Sequence, residues 1–361
     1  MKQKNRAVLL CTVGTSLFSN LERLEENSRI HQAYQAKEWG RLARTLLEFD
    51  PADRICGAEI NTVHALTRKK LPNLKKIVFF VSDTEEGENT GKLLQAYFES
   101  WENHEFQKIE YRTVDMLQDK EPKKFKSQGL RNLVRELGAA IQQAGGPEFC
   151  AIDATGGYKA QIAIAVIMGQ VLDIPVYYKH ERFPEIIDFP PLPVSFDYSI
   201  LGFNADILIK FEQHNTVLSQ DEMPAIDDKL RIFFNEEEID GVCHYELNPV
   251  GMIYLTAYRL RTRQPRPPGN PAESRKPPTF GNDHHYPKGF KEFLNKVFKE
   301  NDWIQTAHTL PYSGQQGIQG RGFRVVPAGD KCYVEGYFKN RDFGCIFQTI
   351  RKIVLSGLLC I

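Results

Sequence analysis

Nine residues, Asp153-Ala154-Thr155-Gly156-Gly157-Tyr158-Lys159-Ala160-Gln161, have the types and spacing to hold an anion. Gly156 and Gly157 permit positive φ and a close backbone approach, a helix starting there exposes unpaired N–H groups, and Lys159 adds a positive charge. An ordinary βα turn with a surface lysine has the same look. A second stretch, Thr12-Val13-Gly14-Thr15-Ser16-Leu17, repeats the chemistry of glycine and hydroxyls after the apolar run Ala7 to Cys11. Ser82-Asp83-Thr84, after Lys76 to Val81, is a third polar cluster at a strand end. Its residues can bond a base or a ribose, and each can equally cap the helix that follows.

These stretches must be positioned by the elements that precede them. Phe149 to Ile152 reads as a strand and Ile162 to Val171 as a helix, so the first stretch is a strand–turn–helix corner. Leu21 to Phe49 has leucines spaced for partly buried helices, and helices are expected at Ile60–Lys70, Thr90–Trp101 and Leu130–Gln143. Strands are expected at Lys108–Val114, Ile174–Tyr178 and Ile186–Phe189. This alternation predicts a doubly wound α/β sheet, in which the carboxyl ends of strands line one crevice and two phosphate-friendly turns face one ligand. Neither the Gly-x-Gly-x-x-Gly dinucleotide fingerprint nor a Gly-x4-Gly-Lys-Ser/Thr P-loop is present.

The early Thr-Val-Gly-Thr-Ser and the later Asp-x-Thr-Gly-Gly-Tyr-Lys, each after a strand, resemble the CRISPR-associated Rossmann-fold (CARF) sensor family over the first 200 residues. The resemblance implies a homodimer that binds a cyclic oligoadenylate, most often cyclic tetra-adenylate (cA4), across its two-fold axis. The ligand-binding residues it implies are Gly14, Thr15, Ser16, Ser82, Asp83, Thr84, Thr155, Gly156, Gly157, Tyr158 and Lys159. Some family members also cleave their own ligand, and Lys159 with Thr15 and Ser16 would be the place for that here.

The 361 residues have no formal net charge, but the charge is unevenly spread. Residues 1–258 carry 29 Lys and Arg against 38 Asp and Glu, a net −9, whereas 259–361 carry 17 against 8, a net +9. A basic tail suits a polyanion such as nucleic acid, and a solvated basic face explains it equally. Seven cysteines without a Cys-x-x-Cys argue against a disulfide scaffold or a zinc site, and no metal or cofactor is expected. No apolar run reaches membrane-spanning length and no secretory segment is evident, so a cytoplasmic protein without a membrane partner is expected.

Pro190 to Pro193 closes the sensor, placed at 1–200. Residues 201–263 suit a small winged-helix-like spacer, in which Asn248 caps and Pro249 opens a helix to Arg261. Glu236, Glu237, Glu238 and Asp240 disfavour contact with DNA there, although a ligand-controlled winged-helix regulator remains the competing class. Six prolines mark 264–282 as a linker. The last domain, 283–361, opens with an amphipathic helix over Pro287–Lys299 and continues as three hairpin-connected strands, an α+β arrangement.

That tail resembles the RelE family of ribosome-dependent mRNA interferases. Matched strand by strand, the resemblance places catalytic cations at Arg324, Lys331, Arg351 and Lys352. The family often has a tyrosine after the final strand; here Leu358-Leu359-Cys360-Ile361 stands there, and His308, Tyr312 or Tyr337 are the substitutes. RNA can be cut by its own 2′-hydroxyl when fixed cations stabilise the phosphorane, so no metal is needed. The Arg-x4-His mark of HEPN ribonucleases is absent, whereas a metal-dependent PD-(D/E)xK nuclease has Asp330 and Glu335 but Tyr337 in place of its lysine, and stays open as the weaker alternative. The sequence thus predicts a cyclic-oligoadenylate-activated ribonuclease of type III CRISPR defence, with mRNA and the ribosome as partners.

Overall fold

Val8–Thr12 (β1) is apolar apart from its last residue, and all five residues are buried, as a central strand of a parallel sheet demands. The computed structural model describes residues 6–25, 28–180, 183, 185–192, 196, 198, 211, 217–220, 228–261, 272–281, 286–310, 320–328, 331–339 and 344–350. For 228, 229, 272, 320–328, 331–333, 337, 339, 344, 346 and 350 it describes the backbone alone. The chain divides into two units, Met1–Phe196 with Asn248–Thr262, and Asp197–Leu247 with Arg263–Ile361.

In the first unit β1 is followed by α1 (Ser16–Leu21), α2 (Arg29–Gln35), α3 (Trp39–Leu46), α4 (Gly57–Lys69), β2 (Lys76–Ser82), α5 (Glu85–Glu99) and β3 (Lys108–Val114). Then come a short turn α6 (Pro122–Lys124), α7 (Leu130–Gln143), β4 (Cys150–Asp153), α8 (Lys159–Val171), β5 (Val176–Lys179) and β6 (Ile186–Phe189). The strand order is β3-β2-β1-β4-β5-β6, parallel except for the last pair. Leu9, Cys11, Ile77, Phe79 and Val81 face α1–α5 in one core. The alternating residues Leu10, Val78, Phe80 and Ile152 are buried as well. A Cβ on Gly169 of α8 would overlap Val176, which shows how closely that helix lies on β5. Asn248 caps the helix Pro249–Arg261, accepting from Gly251 N at 2.9 Å, as its sequence predicts. That helix packs on α7, with Thr256 against Gly138, so the section expected as one winged-helix-like spacer is divided between the units.

The second unit holds two sheets. The smaller, β7 (Leu218–Ser219), β8 (Phe234–Ile239) and β9 (Val242–Leu247), runs in the order β7-β9-β8. Asp240 and Gly241, both at positive φ, close the β8–β9 hairpin. The larger contains β10 (Thr306–Leu310), β11 (Gly320–Ala328), β12 (Lys331–Lys339) and β13 (Gly344–Ile350), in the antiparallel order β10-β13-β12-β11. The three hairpin-connected strands are those expected; β10, with only five residues and two apolar ones, is additional. The helix Phe290–Glu300 packs Phe290 and Leu294 onto Ala307, Phe338, Cys345 and Phe347. Gly336 clears room for the Phe347 ring, since a Cβ there would overlap it. Among the described residues no helix is long and apolar enough to cross a membrane.

Candidate functional site

Because β1 pairs with β4, the turns that follow them meet. The order β2-β1-β4-β5 reverses direction of winding at this pair, where an open sheet leaves its crevice. A Cβ on Gly14 would lie 2.9 Å from Gly157 N, and Gly157 itself has φ 106°, a region that favours glycine. The turn is fixed from below. Thr12 Oγ1 donates to Gly156 O at 2.6 Å, and Asp153 Oδ1 accepts from Thr155 N and Thr155 Oγ1 at 3.1 and 2.6 Å. Lys179 N at the end of β5 donates to Thr155 Oγ1 at 3.0 Å. Gln161 is buried in the first turn of α8, accepts from Tyr158 N and donates to Phe80 O, both at 3.2 Å.

Above this floor lies a cavity of about 680 Å³. Nine of the eleven expected ligand-binding residues line it: Gly14, Thr15, Ser16, Ser82, Thr84, Thr155, Gly156, Gly157 and Tyr158. Two do not. The Asp83 carboxylate accepts from Met116 N at 3.0 Å, because alternation at the strand end puts it on the opposite side from Ser82 and Thr84. Lys159 opens α8 as an exposed residue outside the cavity wall, while Gln161, two positions on, takes the inward place. Thr84 also caps α5, accepting from Gly87 N at 3.0 Å.

The cavity's cations are Lys120 and Lys179, with His180 beside them. Lys120 is exposed and also lines the cavity. Lys179 and His180 follow the end of β5, so the rule that selected the other strand ends could have found them. Glu59 had no such signal. It stands in the first turn of α4, 1% exposed, and its Oε1 accepts from Gly14 N at 2.9 Å. Gly14 therefore points its N–H at Glu59. A Cβ on Gly156 would overlap Glu59 Oε1, so this carboxyl sits under both glycine turns. Burial pushes the Glu59 carboxyl up from its ordinary range. Burial, aided by Glu59, pushes Asp153 up to about 7 against the bonds from Thr155.

In the second unit the register of the larger sheet decides which residues share a face. Arg324 pairs with Glu335, Glu335 with Gln348 and Gln348 with His308, so one of each strand's residues stands in a single row. The helix Phe290–Glu300 covers the face of Ala307, Phe338 and Phe347, so this row belongs to the other one. Lys331 shares the row's face but stands four positions from Glu335, about 13 Å along the strand. Arg351, Lys352 and Tyr312 lie outside the described residues. Among the described residues no group of three or more metal-ligating side chains occurs.

No curated protein matches the chain. Residues 54–192 match the sequence model of a family described as CRISPR-associated protein (Cas_APE2256). The matched stretch runs from the approach to α4 through β6, including Glu59, the Ser82–Thr84 strand end and the whole Asp153–Gln161 turn. The match supports a CRISPR-associated protein with a part in CRISPR defence.

Proposed function

We propose that the first unit is a CARF-type sensor for a cyclic oligoadenylate and that the second is a RelE-like ribonuclease which the bound messenger activates. The observation that carries the reading is the cavity formed where the Gly14 and Gly157 turns meet at the carboxyl ends of β1 and β4. It is large enough for part of a nucleotide ring, rich in hydroxyls and backbone, and carries Lys120 and Lys179 for phosphates. Two cytoplasmic copies would hold one ring across a two-fold axis. Activation requires that the messenger bind the active arrangement better than the resting one.

For the second unit the reading rests on the row Arg324, Glu335, Gln348, His308 on the face opposite the helix Phe290–Glu300. In the proposed reaction the ribose 2′-oxygen attacks the adjacent phosphorus and the P–O5′ bond breaks. The products are a 2′,3′-cyclic phosphate and a 5′-hydroxyl. Arg324 stabilises the developing dianion, and His308 returns the 2′-hydroxyl proton to the 5′-oxygen. The acidic strand β8, Glu236 to Glu238, argues against the winged-helix DNA-binding alternative. A translation assay with and without cyclic tetra-adenylate, and with and without ribosomes, tests the proposal. mRNA cleavage is expected only with both present. Cleavage of naked RNA alone would remove the ribosome from the reading, and no cleavage in any arm would remove the nuclease.

A further inference from the structure

Glu59 and Asp153, from two different elements, are buried behind the turns that line the cavity, and each keeps one oxygen unused. Glu59 Oε1 accepts from Gly14 N and Asp153 Oδ1 from Thr155, but Glu59 Oε2 and Asp153 Oδ2 are buried without a hydrogen-bond partner. Glu59 is 1% and Asp153 0% exposed. α4 and the turn after β4 are tied together next to them, where Thr62 Oγ1 donates to Thr155 Oγ1 at 3.3 Å. Neither carboxyl's shift has a cation among its causes, and Glu59 raises the cost of charging Asp153.

The charged and titratable groups around the pair come from every neighbouring element. Cys11 on β1 is one of them, its thiol held protonated by burial and then by the two acids. Tyr158 stands before α8, and Tyr178, Lys179 and His180 stand at the end of β5. Asp119 and Lys120 follow β3, and Glu85 and Glu86 open α5. These line the cavity above the pair, on the side where a phosphate would sit.

We infer that Glu59 and Asp153 are positioning residues that work as a proton store: binding of a phosphate-bearing ligand on the glycine turns draws a proton into the pair. This rests on the sensor reading for its ligand. The reasoning is electrostatic. Two acids buried without a cation hold at least one proton together, and an anion placed on the turn above makes the second charge costlier still. Binding and protonation are then linked, and affinity must fall as pH rises through the titration of the pair. The neutral pair also keeps the Gly14 turn closed, because Glu59 accepts from Gly14 N in either state.

The experiment is calorimetry of the full chain with cyclic tetra-adenylate at pH 7.5 in two buffers of different ionisation enthalpy, followed by Kd between pH 6 and 8.5. Uptake of about 0.5–1 proton per chain is expected, with Kd weakening by up to about tenfold per pH unit. His180 lines the same cavity and serves as the control position. His180→Asn should keep the uptake, whereas Asp153→Asn, which preserves the acceptor for Thr155, should abolish it and flatten the pH profile. Equal heats in both buffers for the wild-type chain would overturn the inference without any variant, and so would uptake that disappears in His180→Asn alone. Absence of binding at every pH would overturn the sensor reading itself.

Discussion

The two candidate sites are built on opposite principles. In the first unit the functional groups are largely backbone and hydroxyl, set by two glycine turns that touch, and the acids beneath them are fully buried. In the second, strand register alone aligns Arg324, Glu335, Gln348 and His308, and Gly336 of that sheet serves the opposite, helix-packed face. A site made of turns cannot lose a glycine without losing shape. A site made of register can lose a side chain and keep its fold, because its core is on the other side of the sheet.

That contrast is broken most directly at Arg324. Arg324→Ala should lower RNA cleavage by roughly 10²–10³-fold, the usual scale for removing one stabilising donor from a reacting phosphate or carbonyl. The unfolding midpoint of the chain should stay nearly fixed. Loss of folding together with activity would mean that the row is part of the core and that the two sites do not differ as argued.

Gly156→Ala tests the other side. The added methyl would overlap Glu59 Oε1 and come within 2.8 Å of Gly14 N, and both are held by the same hydrogen bond. Such overpacking should cost about 2–3 kcal/mol in a denaturant titration and remove messenger binding. Unchanged stability would show that the turn has slack and that the floor is less tightly built.

A third measurement separates the buried acids from everything else. Asp153 has its carboxyl raised from 3.8 to about 7, so between those values the unfolded chain has released a proton that the folded chain keeps. Stability from this group is therefore present at low pH and lost as pH rises toward 7, with a slope of about 1.4 kcal/mol per pH unit. Other groups act oppositely; His64, pushed down to about 4 by burial, favours folding as pH rises through that range. The difference between wild type and Asp153→Asn isolates the acid: the variant should gain about 2 kcal/mol relative to wild type between pH 5 and 7.5. A constant difference across that range would place Asp153 among ordinary carboxylates.

The same contrast explains how much could be read from the sequence. Glycine pairs after apolar runs announce a turn at a strand end, which is why Gly14, Gly156 and Gly157 and their neighbouring hydroxyls were legible. Of the strand-end cluster Ser82 and Thr84 line the cavity and Asp83 does not, because period-two alternation continues past the strand. Lys159 was chosen for its charge, although a helix start offers one inward position and Gln161 holds it. Glu59 was illegible, since nothing in Gly57–Lys69 distinguishes a buried acid from the solvent-facing acid common in a first helical turn. In the tail, alternation gave β11 to β13, but the pairing of β10 with β13 is a long-range choice that left no local mark, and it alone brings His308 into the row.

The smallest effect sharpens the first site. Thr84 both lines the cavity and caps α5, so its hydroxyl serves the fold through Gly87 N before it serves any ligand. Three acids, Glu85, Glu86 and Glu88, occupy the first turn of that helix, whereas the first turn of α8 has none. Negative charge at α5 satisfies the helix dipole from within and repels a phosphate, so the two helix starts facing the cavity differ in what they accept. On the proposed sensor reading a phosphate is expected at the α8 end, and an uncharged base or ribose at the α5 end. Thr84→Ala should then cost about 1 kcal/mol of stability through the lost cap and weaken messenger binding only severalfold, while Thr84→Ser restores both. A change in the salt dependence of binding for Thr84→Ala would put a phosphate against α5 and reverse the assignment of the two ends.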